Sequence, residues 1–281
     1  MDKKKIESLA LLMGEYIDHR RKNRLQPLPT FIGVGAGRCG TSALYSALNG
    51  HAEIYMSPLK EINHFGVRCQ GKHNLYGATR SEYLMYFAAA TDQKHIGEIS
   101  PMYLTQPSAA QQIKADFPSM KIIASVRCPV DRFYSQYKHH AKLHRIIDVN
   151  EYVATALSAY DEAAALKFRG DWFQPTKNLL QSIYYQGLAT YRELFGADNV
   201  LIYDYQDLCD KPTATLAQIS DFLGLSSPLN IPAITNASEK TGILTDQMTE
   251  ASLNGLLEAF ADDAIKCRDK LGIDIQDWLM R

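Results

Sequence analysis

Five short apolar runs, separated by stretches with helical periodicity, constrain the fold of this chain more than any other feature. The runs cover Thr30–Val34, Ile54–Met56, His95–Ile99, Lys121–Val126 and Val200–Tyr203. Strands that alternate with helices are joined by crossover connections, and such connections link parallel strands. A parallel sheet is covered by helices on both faces, so its strands are apolar throughout. The pattern therefore predicts an α/β fold with a central parallel β-sheet flanked by helices.

Several residues mark where the predicted helices begin and end. Thr79 and Glu82 have the spacing of a capping box, in which each side chain accepts a hydrogen bond from the backbone N–H of the other residue. Pro129 suits the first turn of a helix, where its missing N–H would have no partner. Gly224 and Gly272 suit the position after a helix, where the left-handed conformation is common.

The composition fits one globular domain and excludes several functional classes. The chain has 281 residues, of which 46% are hydrophobic and 22% charged, enough apolar material to close a core. With 30 Lys and Arg against 31 Asp and Glu the formal charge is −1, so no global field attracts nucleic acid. Helical spacing of apolar residues predicts an amphipathic N-terminal helix and linker over residues 1–28, followed by one α/β domain over residues 29–281.

The sequence shows no pattern typical of a membrane span, a cleaved targeting segment or a cysteine-based disulfide or zinc site. No apolar run reaches the roughly 18 residues of a membrane-spanning helix, and the basic N-terminus lacks a small-residue cleavage site. We therefore expect a cytoplasmic protein without a membrane span. The five cysteines form no C-x-x-C pair, which argues against a disulfide framework and a zinc site. The oligomeric state is left open.

The segment that follows the first predicted strand has the composition of an anion-binding loop. This glycine loop, residues 35–40, contains three glycines and precedes a helix that we expect to start near Thr41. Such a turn aims free backbone N–H groups and the positive end of the helix dipole at one point. Glycine lets the backbone approach an anion, because a Cβ atom would occupy the space. We expect a phosphate or sulfate to bind here.

Three interpretations of the glycine loop compete. The loop matches the G-x-G-x-x-G fingerprint of dinucleotide sites, but Glu53 precedes a predicted strand, whereas the ribose-binding acid of that motif should close one. The loop also has the glycine spacing of a Walker A motif, but Thr41 stands where that motif requires lysine. In the third interpretation Arg38 faces a terminal oxyanion, and the hydroxyls of Thr41 and Ser42 add donors.

A second anion site is predicted at the end of the fourth strand. Arg127 follows that strand, at the sheet edge where ligands bind in open α/β folds. Ser135 lies eight residues later, about two helical turns away. A guanidinium and a hydroxyl placed in this way can bind one phosphate together. Two anion sites on neighbouring strand ends fit a nucleotide with phosphate at both its 3′ and 5′ positions.

Together, the glycine loop and residues 121–137 resemble the 5′-phosphosulfate loop and the 3′-phosphate element of sulfotransferases that use 3′-phosphoadenosine 5′-phosphosulfate (PAPS). Three further segments are similar to the family's K-E-x-x-x-F, E-x-S-P-x-Y-L and cofactor-covering segments, and these are Lys60–Phe65, Glu98–Leu104 and Asn236–Lys240. The sequence departs from the family at Arg38, where many members have lysine, and at Cys39 and Cys128, which we expect to be buried and inert. The resemblance implies a three-layer fold like that of the P-loop NTPases.

The resemblance also implies a reaction and a set of donor-binding residues. PAPS would donate a sulfuryl group to a hydroxyl or amine acceptor by in-line displacement, leaving adenosine 3′,5′-bisphosphate, without a metal. The implied cofactor-binding residues are Gly37, Arg38, Cys39, Gly40, Thr41, Ser42, Arg127, Ser135 and Lys240. The acceptor would be a small molecule, a carbohydrate or a lipid, and its identity stays open.

Three residues are candidates for catalysis. Glu61 occupies the family position of the general base, and His64 is the second candidate because imidazole titrates near neutral pH. Without the resemblance, Glu61 could be a loop charge paired with Lys60. Arg38 would stabilise charge on the departing phosphate. Two other functions stay open, a Rossmann-type NAD(P)-dependent oxidoreductase and a nucleotide-binding protein without transfer activity.

Overall fold

The computed structural model of the chain describes residues 14, 27–66, 79–143, 148–158, 160, 175–230, 248–273 and 278. Most of the expected N-terminal helix and linker over residues 1–28 lies outside the described residues, as does Lys240. The domain boundary at residue 28 therefore stays a prediction. No helix within the described ranges is long and apolar enough to cross a membrane.

The described strands form one parallel sheet in the order β2-β3-β1-β4-β5. They are β1 (Phe31–Gly35), β2 (Ile54–Met56), β3 (His95–Ile99), β4 (Lys121–Val126) and β5 (Val200–Asp204). In the centre, Phe31 of β1 pairs with Gly97 of β3 on one side and with Lys121 of β4 on the other. The five-strand prediction is confirmed, with β1 shifted by one residue and β5 longer by one.

Ten helices cover the sheet in the described part of the chain. They are α1 (Thr41–Asn49), α2 (Arg80–Leu84), α3 (Pro107–Asp116), α4 (Pro129–Leu143), α5 (Val149–Ser158), α6 (Pro175–Leu180), α7 (Tyr185–Phe195), α8 (Tyr205–Asp210), α9 (Pro212–Leu223) and α10 (Glu250–Leu271). Short 3₁₀ turns cover Met85–Phe87, Pro101–Thr105 and Ala197–Asn199.

The predicted helix ends are confirmed. The Thr79 N–H donates to Glu82 Oε2 at 2.6 Å, and the Glu82 N–H donates to Thr79 Oγ1 at 3.3 Å, which completes the capping box. Pro129 is the first residue of α4. Gly224 and Gly272 follow α9 and α10 with φ values of 72° and 66°, the left-handed conformation that glycine adopts without a steric penalty.

The core lies on both faces of the sheet. Ile32 and Val34 of β1 pack in one buried cluster with Phe133 of α4, and the cluster extends to α3, α7 and α10. Phe31, on the opposite face of β1, packs in a second cluster with Leu44 of α1 and with α9. Successive residues of a strand point to opposite faces, so one apolar strand supplies both clusters. The result is the three-layer α/β arrangement that was expected.

The strand order places a crevice beside the central strand. The connection after β1 leads through α1 to β2, whereas the connection after β4 leads towards β5 at the opposite edge. Loops that leave two adjacent parallel strands in opposite directions open a crevice at their carboxyl ends, where ligands bind in folds of this kind. The glycine loop and Arg127 follow these two strands.

Candidate active site

Packing within the chain requires glycine at both ends of the glycine loop. Gly35 and Gly40 have φ values of 136° and 75°. A Cβ atom on Gly35 would lie 2.5 Å from the carbonyl oxygen of Pro101, and one on Gly40 would lie 2.5 Å from the ring of Tyr205. Between them, Arg38 also has a positive φ of 69°. The chain therefore turns sharply from β1 into α1.

The middle glycine of the loop has a different explanation. A Cβ atom on Gly37 would meet no described atom closer than 3.8 Å, and Gly37 is not among the residues with a left-handed φ. Packing within the described residues thus permits a side chain here. An open space above a loop backbone fits an anion that approaches the backbone closely.

Helix α1 begins with free donors. Its N-cap is Gly40, and no described side chain caps the helix or places an acid in its first turn. The N–H groups of a first helical turn have no intrahelical acceptor, and the helix dipole adds positive potential there. Thr41 is buried and Ser42 is exposed, so Ser42 is the more accessible of the two predicted hydroxyl donors.

The two predicted anion-binding elements meet in one place. Nε of Arg38 in the glycine loop donates to Oγ of Ser135 on α4 at 3.2 Å, although the residues are 97 positions apart. Ser135 is buried. Because α4 follows β4 and the glycine loop follows β1, this hydrogen bond joins the ends of two adjacent strands.

Arg127 lies next to the same pair. Its guanidinium lies 5.1 Å above the centre of the Tyr205 ring, and that ring also packs against Gly40. The pKa of Arg38 is lowered, first by burial and second by the positive charge of Arg127. The two guanidinium groups repel each other, so anions that neutralise them, one at each arginine, would relieve this repulsion.

A cavity of about 360 Å³ opens beside Arg127. Its walls include Asp131, Asp204, Lys211 and Trp278, and the indole N–H of Trp278 donates to Asp204 at 3.1 Å. Burial raises the pKa of Asp204. The wall therefore carries carboxylates together with the cations Arg127, Arg192 and Lys211, and Arg127 is the cation at the end of β4.

Arg132 is a site residue that the sequence analysis missed. The side chain is fully buried on α4, and Nε donates to the Gly37 carbonyl at 3.1 Å. Its other nitrogens donate to Asn178 Oδ1 and Gln181 Oε1, each at 2.7 Å. These neutral acceptors hold the guanidinium under the glycine loop, and burial lowers its pKa. A cation in the first turn of a helix opposes the helix dipole, and that placement was the available signal.

Cys39 turns away from the loop surface. Its thiol is fully buried, lies 3.7 Å from the Gly37 carbonyl oxygen and has a pKa that burial raises to about 11. The Cys39 N–H donates to the Ala36 carbonyl at 3.3 Å. A buried thiol with a high pKa is a poor nucleophile. Cys128 is also buried, and the expectation of burial is confirmed for both cysteines.

Glu61 lies at the carboxyl end of β3, which is adjacent to β1. Its N–H donates to the Ile99 carbonyl at 2.9 Å, and its φ is +65°. The carboxylate is half exposed and forms an ion pair with Lys60, with Nζ and Oε1 2.6 Å apart. The pairing considered from the sequence therefore exists, and it leaves the carboxylate at the ligand-binding edge of the sheet.

His64 packs in a different direction. Its ring stacks on Tyr83 with centroids 4.6 Å apart and meets Phe65 edge-on. It lines a cavity of about 410 Å³ with Arg80 of α2 and Asp116 of α3, and no residue of the glycine loop is among the described walls. Burial lowers the pKa of His64. The structure thus brings Arg38, Arg127 and Ser135 together and directs His64 towards α2 and α3.

Glu53 does not have the position of a ribose-binding acid. It precedes β2, at the amino end of the strand, and its carboxylate accepts the Ser226 N–H at 3.0 Å. A dinucleotide site needs the acid at the carboxyl end of the second strand. No cluster of metal-ligating side chains occurs among the described residues.

The fold is a three-layer α/β arrangement, and its candidate anion site lies in the crevice at the carboxyl ends of β1 and β4. The sequence matches the family model of the sulfotransferase domain over residues 28–251. This match covers more than half of the chain, and the chain belongs to the sulfotransferase domain family.

Curated relatives carry the same domain within longer chains. The membrane-associated sulfotransferase kil1 of Dictyostelium discoideum is 24% identical over 73% of this chain and 58% of its own. Human carbohydrate sulfotransferase 15 is 26% identical over 74% of this chain and 46% of its own. The mouse bifunctional heparan sulfate N-deacetylase/N-sulfotransferase 4 is 25% identical over 75% of this chain and 24% of its own. This chain therefore spans about a quarter to three fifths of these relatives.

Two solved structures share the fold. A sulfotransferase from Alicyclobacillus acidocaldarius superimposes with a TM-score of 0.73 at 24% identity, over 90% of this chain and 99% of the other. Mouse sulfotransferase SULT7A1, solved in complex with PAP, superimposes with a TM-score of 0.53 at 16% identity, over 89% of this chain and 87% of the other. These likenesses confirm the expected P-loop-like sulfotransferase architecture.

Proposed function

We propose that this protein transfers a sulfuryl group from PAPS to a hydroxyl or amine acceptor by in-line displacement. The contact of Arg38 with Ser135 carries the proposal, because with Arg127 it joins two anion-binding elements at adjacent strand ends. A nucleotide with phosphate at both its 3′ and 5′ positions needs two such elements. Family membership supports the reaction, and the PAP in the mouse structure supports the donor.

In this proposal the glycine loop holds the 5′-phosphosulfate. The uncapped N–H groups of α1 donate to it, and the open space at Gly37 lets the backbone approach it. Arg38 neutralises the charge that develops on the departing 5′-phosphate, while Arg127 and Ser135 hold the 3′-phosphate. Positioning and charge stabilisation are the main demands of such a transfer. Lys240 stays a predicted donor contact.

Glu61 is the proposed general base. Its carboxylate is half exposed at the carboxyl end of β3, beside the strand that leads into the glycine loop. It would take the proton of the acceptor as the acceptor attacks sulfur, after leaving its ion pair with Lys60. The packed ring of His64 makes that residue the weaker candidate.

The acceptor class follows from chemistry and from the relatives. Carbohydrate and heparan sulfate occur in the names of two relatives, and we propose a carbohydrate, small-molecule or lipid acceptor for this chain. The cytoplasmic location inferred from the sequence stays a prediction.

A transfer assay with PAPS and a panel of hydroxyl and amine acceptors tests the proposal. We expect turnover in the wild type and its loss in Glu61→Gln, with unchanged binding of adenosine 3′,5′-bisphosphate. Glu193→Gln, an exposed carboxylate on α7, is the matched control and should behave as wild type. A Glu61→Gln variant with full turnover would move the base elsewhere. Wild type that binds the bisphosphate and transfers nothing would favour a binding protein.

A further inference from the structure

A buried carboxylate next to the candidate base is unexplained by the proposed mechanism. Glu98 on β3 is fully buried, and it forms no ion pair with any described residue. Its two oxygens accept three hydroxyl groups, from Ser100 at 2.6 Å, from Tyr103 at 2.9 Å and from Tyr83 at 3.4 Å. A buried charge without a cationic partner is costly and calls for a functional reason.

Two of the three hydroxyl groups make a second hydrogen bond. Oγ of Ser100 accepts the N–H of Asn63 at 3.0 Å. The Tyr103 oxygen accepts the N–H of His64 at 2.8 Å and that of Phe65 at 3.4 Å. Each hydroxyl has a single proton, and Glu98 accepts it. By accepting these protons, the Glu98 carboxylate turns the lone pairs of the Ser100 and Tyr103 hydroxyl oxygens towards the three backbone N–H groups.

The backbone that these hydroxyls hold has an unusual conformation. Glu61 and Asn63 have φ values of +65° and +51°, the left-handed region that residues with a side chain seldom adopt. Such a conformation persists only where surrounding contacts impose it. The N–H of Glu61 bound to Ile99 fixes one end of this turn, and the Ser100 and Tyr103 hydroxyls fix the other.

We propose that Glu98 is a positioning residue that acts through the hydroxyls of Ser100 and Tyr103 to hold the backbone of residues 63–65 and so direct the Glu61 carboxylate at the acceptor. This inference rests on the proposed function, since it takes Glu61 as the base. Only a group that accepts at both oxygens can orient two hydroxyls, because a glutamine amide would donate at one of them.

This role belongs to the ionised form of Glu98, because a protonated carboxyl group would donate from one of its oxygens. Burial raises the pKa of Glu98 to about 7, against the three hydroxyl donors that lower it. An apolar side chain at position 98 would fill the same space without the cost of desolvating a carboxylate. Packing alone therefore does not explain a glutamate there.

The test compares Glu98→Gln with Tyr83→Phe. Tyr83 donates to the same carboxylate but accepts no backbone N–H of residues 63–65 in the described contacts, so it is the matched control. We expect Glu98→Gln to lose turnover by about 100-fold, the effect of misplacing a reacting group by about 1 Å, with an unchanged Kd for adenosine 3′,5′-bisphosphate. Amide hydrogen exchange at residues 63–65 should accelerate. Tyr83→Phe should change neither turnover nor exchange.

Several outcomes would overturn the inference. Unchanged exchange at residues 63–65 in Glu98→Gln would remove the positioning role, and so would faster exchange with wild-type turnover. If Glu98→Gln does not fold, Tyr103→Phe gives the same two readouts at His64 and Phe65. A wild type that binds the bisphosphate but transfers nothing would defeat the proposed function and this inference together, and the exchange data would show whether Glu98 still orders the segment.

Discussion

Arg127 and Arg38 hold charge at opposite ends of the proposed nucleotide site. Removing Arg127 should weaken adenosine 3′,5′-bisphosphate binding by about 10- to 100-fold, the loss expected for one hydrogen bond to a charged group. Adenosine 5′-phosphate should bind Arg127→Ala almost as well as wild type, because it lacks the 3′-phosphate. Calorimetric titration with both nucleotides measures the difference. Equal losses on both would contradict the assignment of Arg127 to the 3′ end.

Arg38 should matter more for turnover than for folding. Its hydrogen bond to Ser135 is partly buried, while burial and the charge of Arg127 lower its pKa. Arg38→Ala therefore removes both a bond and a repulsion, and thermal melting should change little. Turnover should fall by about 100-fold or more, as for the loss of an oxyanion donor. A large drop in melting temperature with near-normal turnover would show a structural role instead.

The raised pKa of Glu98 predicts that the stability of the folded protein depends on pH. Its pKa rises from an ordinary 4.5 to about 7 in the folded protein, so its contribution to stability is present below pH 4.5 and is lost as pH rises through 7. Tyr83, Tyr103 and Tyr191 face the carboxylate and stay neutral, with burial raising the pKa of each. Glu98→Gln lacks this titration.

Denaturant unfolding of wild type and Glu98→Gln at pH 5 and pH 8 measures this pH dependence of the free energy of unfolding. Relative to wild type, Glu98→Gln should gain roughly 2–3 kcal/mol between pH 5 and pH 8, because the pKa of Glu98 is higher in the folded protein than in the unfolded chain. Other carboxylates cancel in the comparison. An identical pH dependence in the two proteins would show that Glu98 titrates normally.

The sequence indicated candidate site residues but not the direction in which each of their side chains points. Glu61 and His64 are three residues apart, and the family position of Glu61 and the neutral titration of imidazole made both candidates for the base. The positive φ values at Glu61 and Asn63 turn the chain between them, so the two side chains take different directions. Backbone conformations of this kind are set by tertiary contacts such as those of Ser100, which no local pattern contains.

Within the glycine loop, the glycines are expected to serve different purposes. Gly40→Ala would place a Cβ atom 2.5 Å from the Tyr205 ring at a φ of 75°, and it should destabilise folding by about 1–3 kcal/mol. Gly37→Ala has room for its Cβ atom within the protein. It should melt as wild type does but bind adenosine 3′,5′-bisphosphate more weakly, because the methyl group blocks the anion.

Parallel melts and titrations of the two variants measure this contrast. Normal nucleotide binding by Gly37→Ala would show that the anion does not approach the loop at that residue.

Elements with strong local signals were predicted well. Three strands have the expected bounds, and the capping box at Thr79 and the caps at Gly224 and Gly272 form as expected. These features depend on hydrogen bonds within a few residues. The contacts of Arg132 depend instead on Asn178 and Gln181, which lie more than 40 positions away, so its place in the first turn of α4 could mark the residue as unusual but could not show its partners.

At the scale of the whole molecule, the alternation of strands and helices predicted the parallel sheet but not its order. Placing β1 between β3 and β4 depends on which strands pair, and those pairs join residues that are far apart in the sequence, such as Phe31 with Gly97 and with Lys121. This order makes the ends of β1 and β4 adjacent. The hydrogen bond from Arg38 to Ser135 is the consequence that matters for function.

Calorimetric titration of the wild-type protein with adenosine 3′,5′-bisphosphate, beside NAD, NADP and ATP, tests the two-anion nucleotide site most directly. Binding of the bisphosphate alone is the expected result, because only this ligand places single phosphates at both its 3′ and 5′ positions. Binding of NAD or NADP in its place would mean that the glycine loop holds a dinucleotide and that Arg127 and Ser135 do not form a 3′-phosphate site.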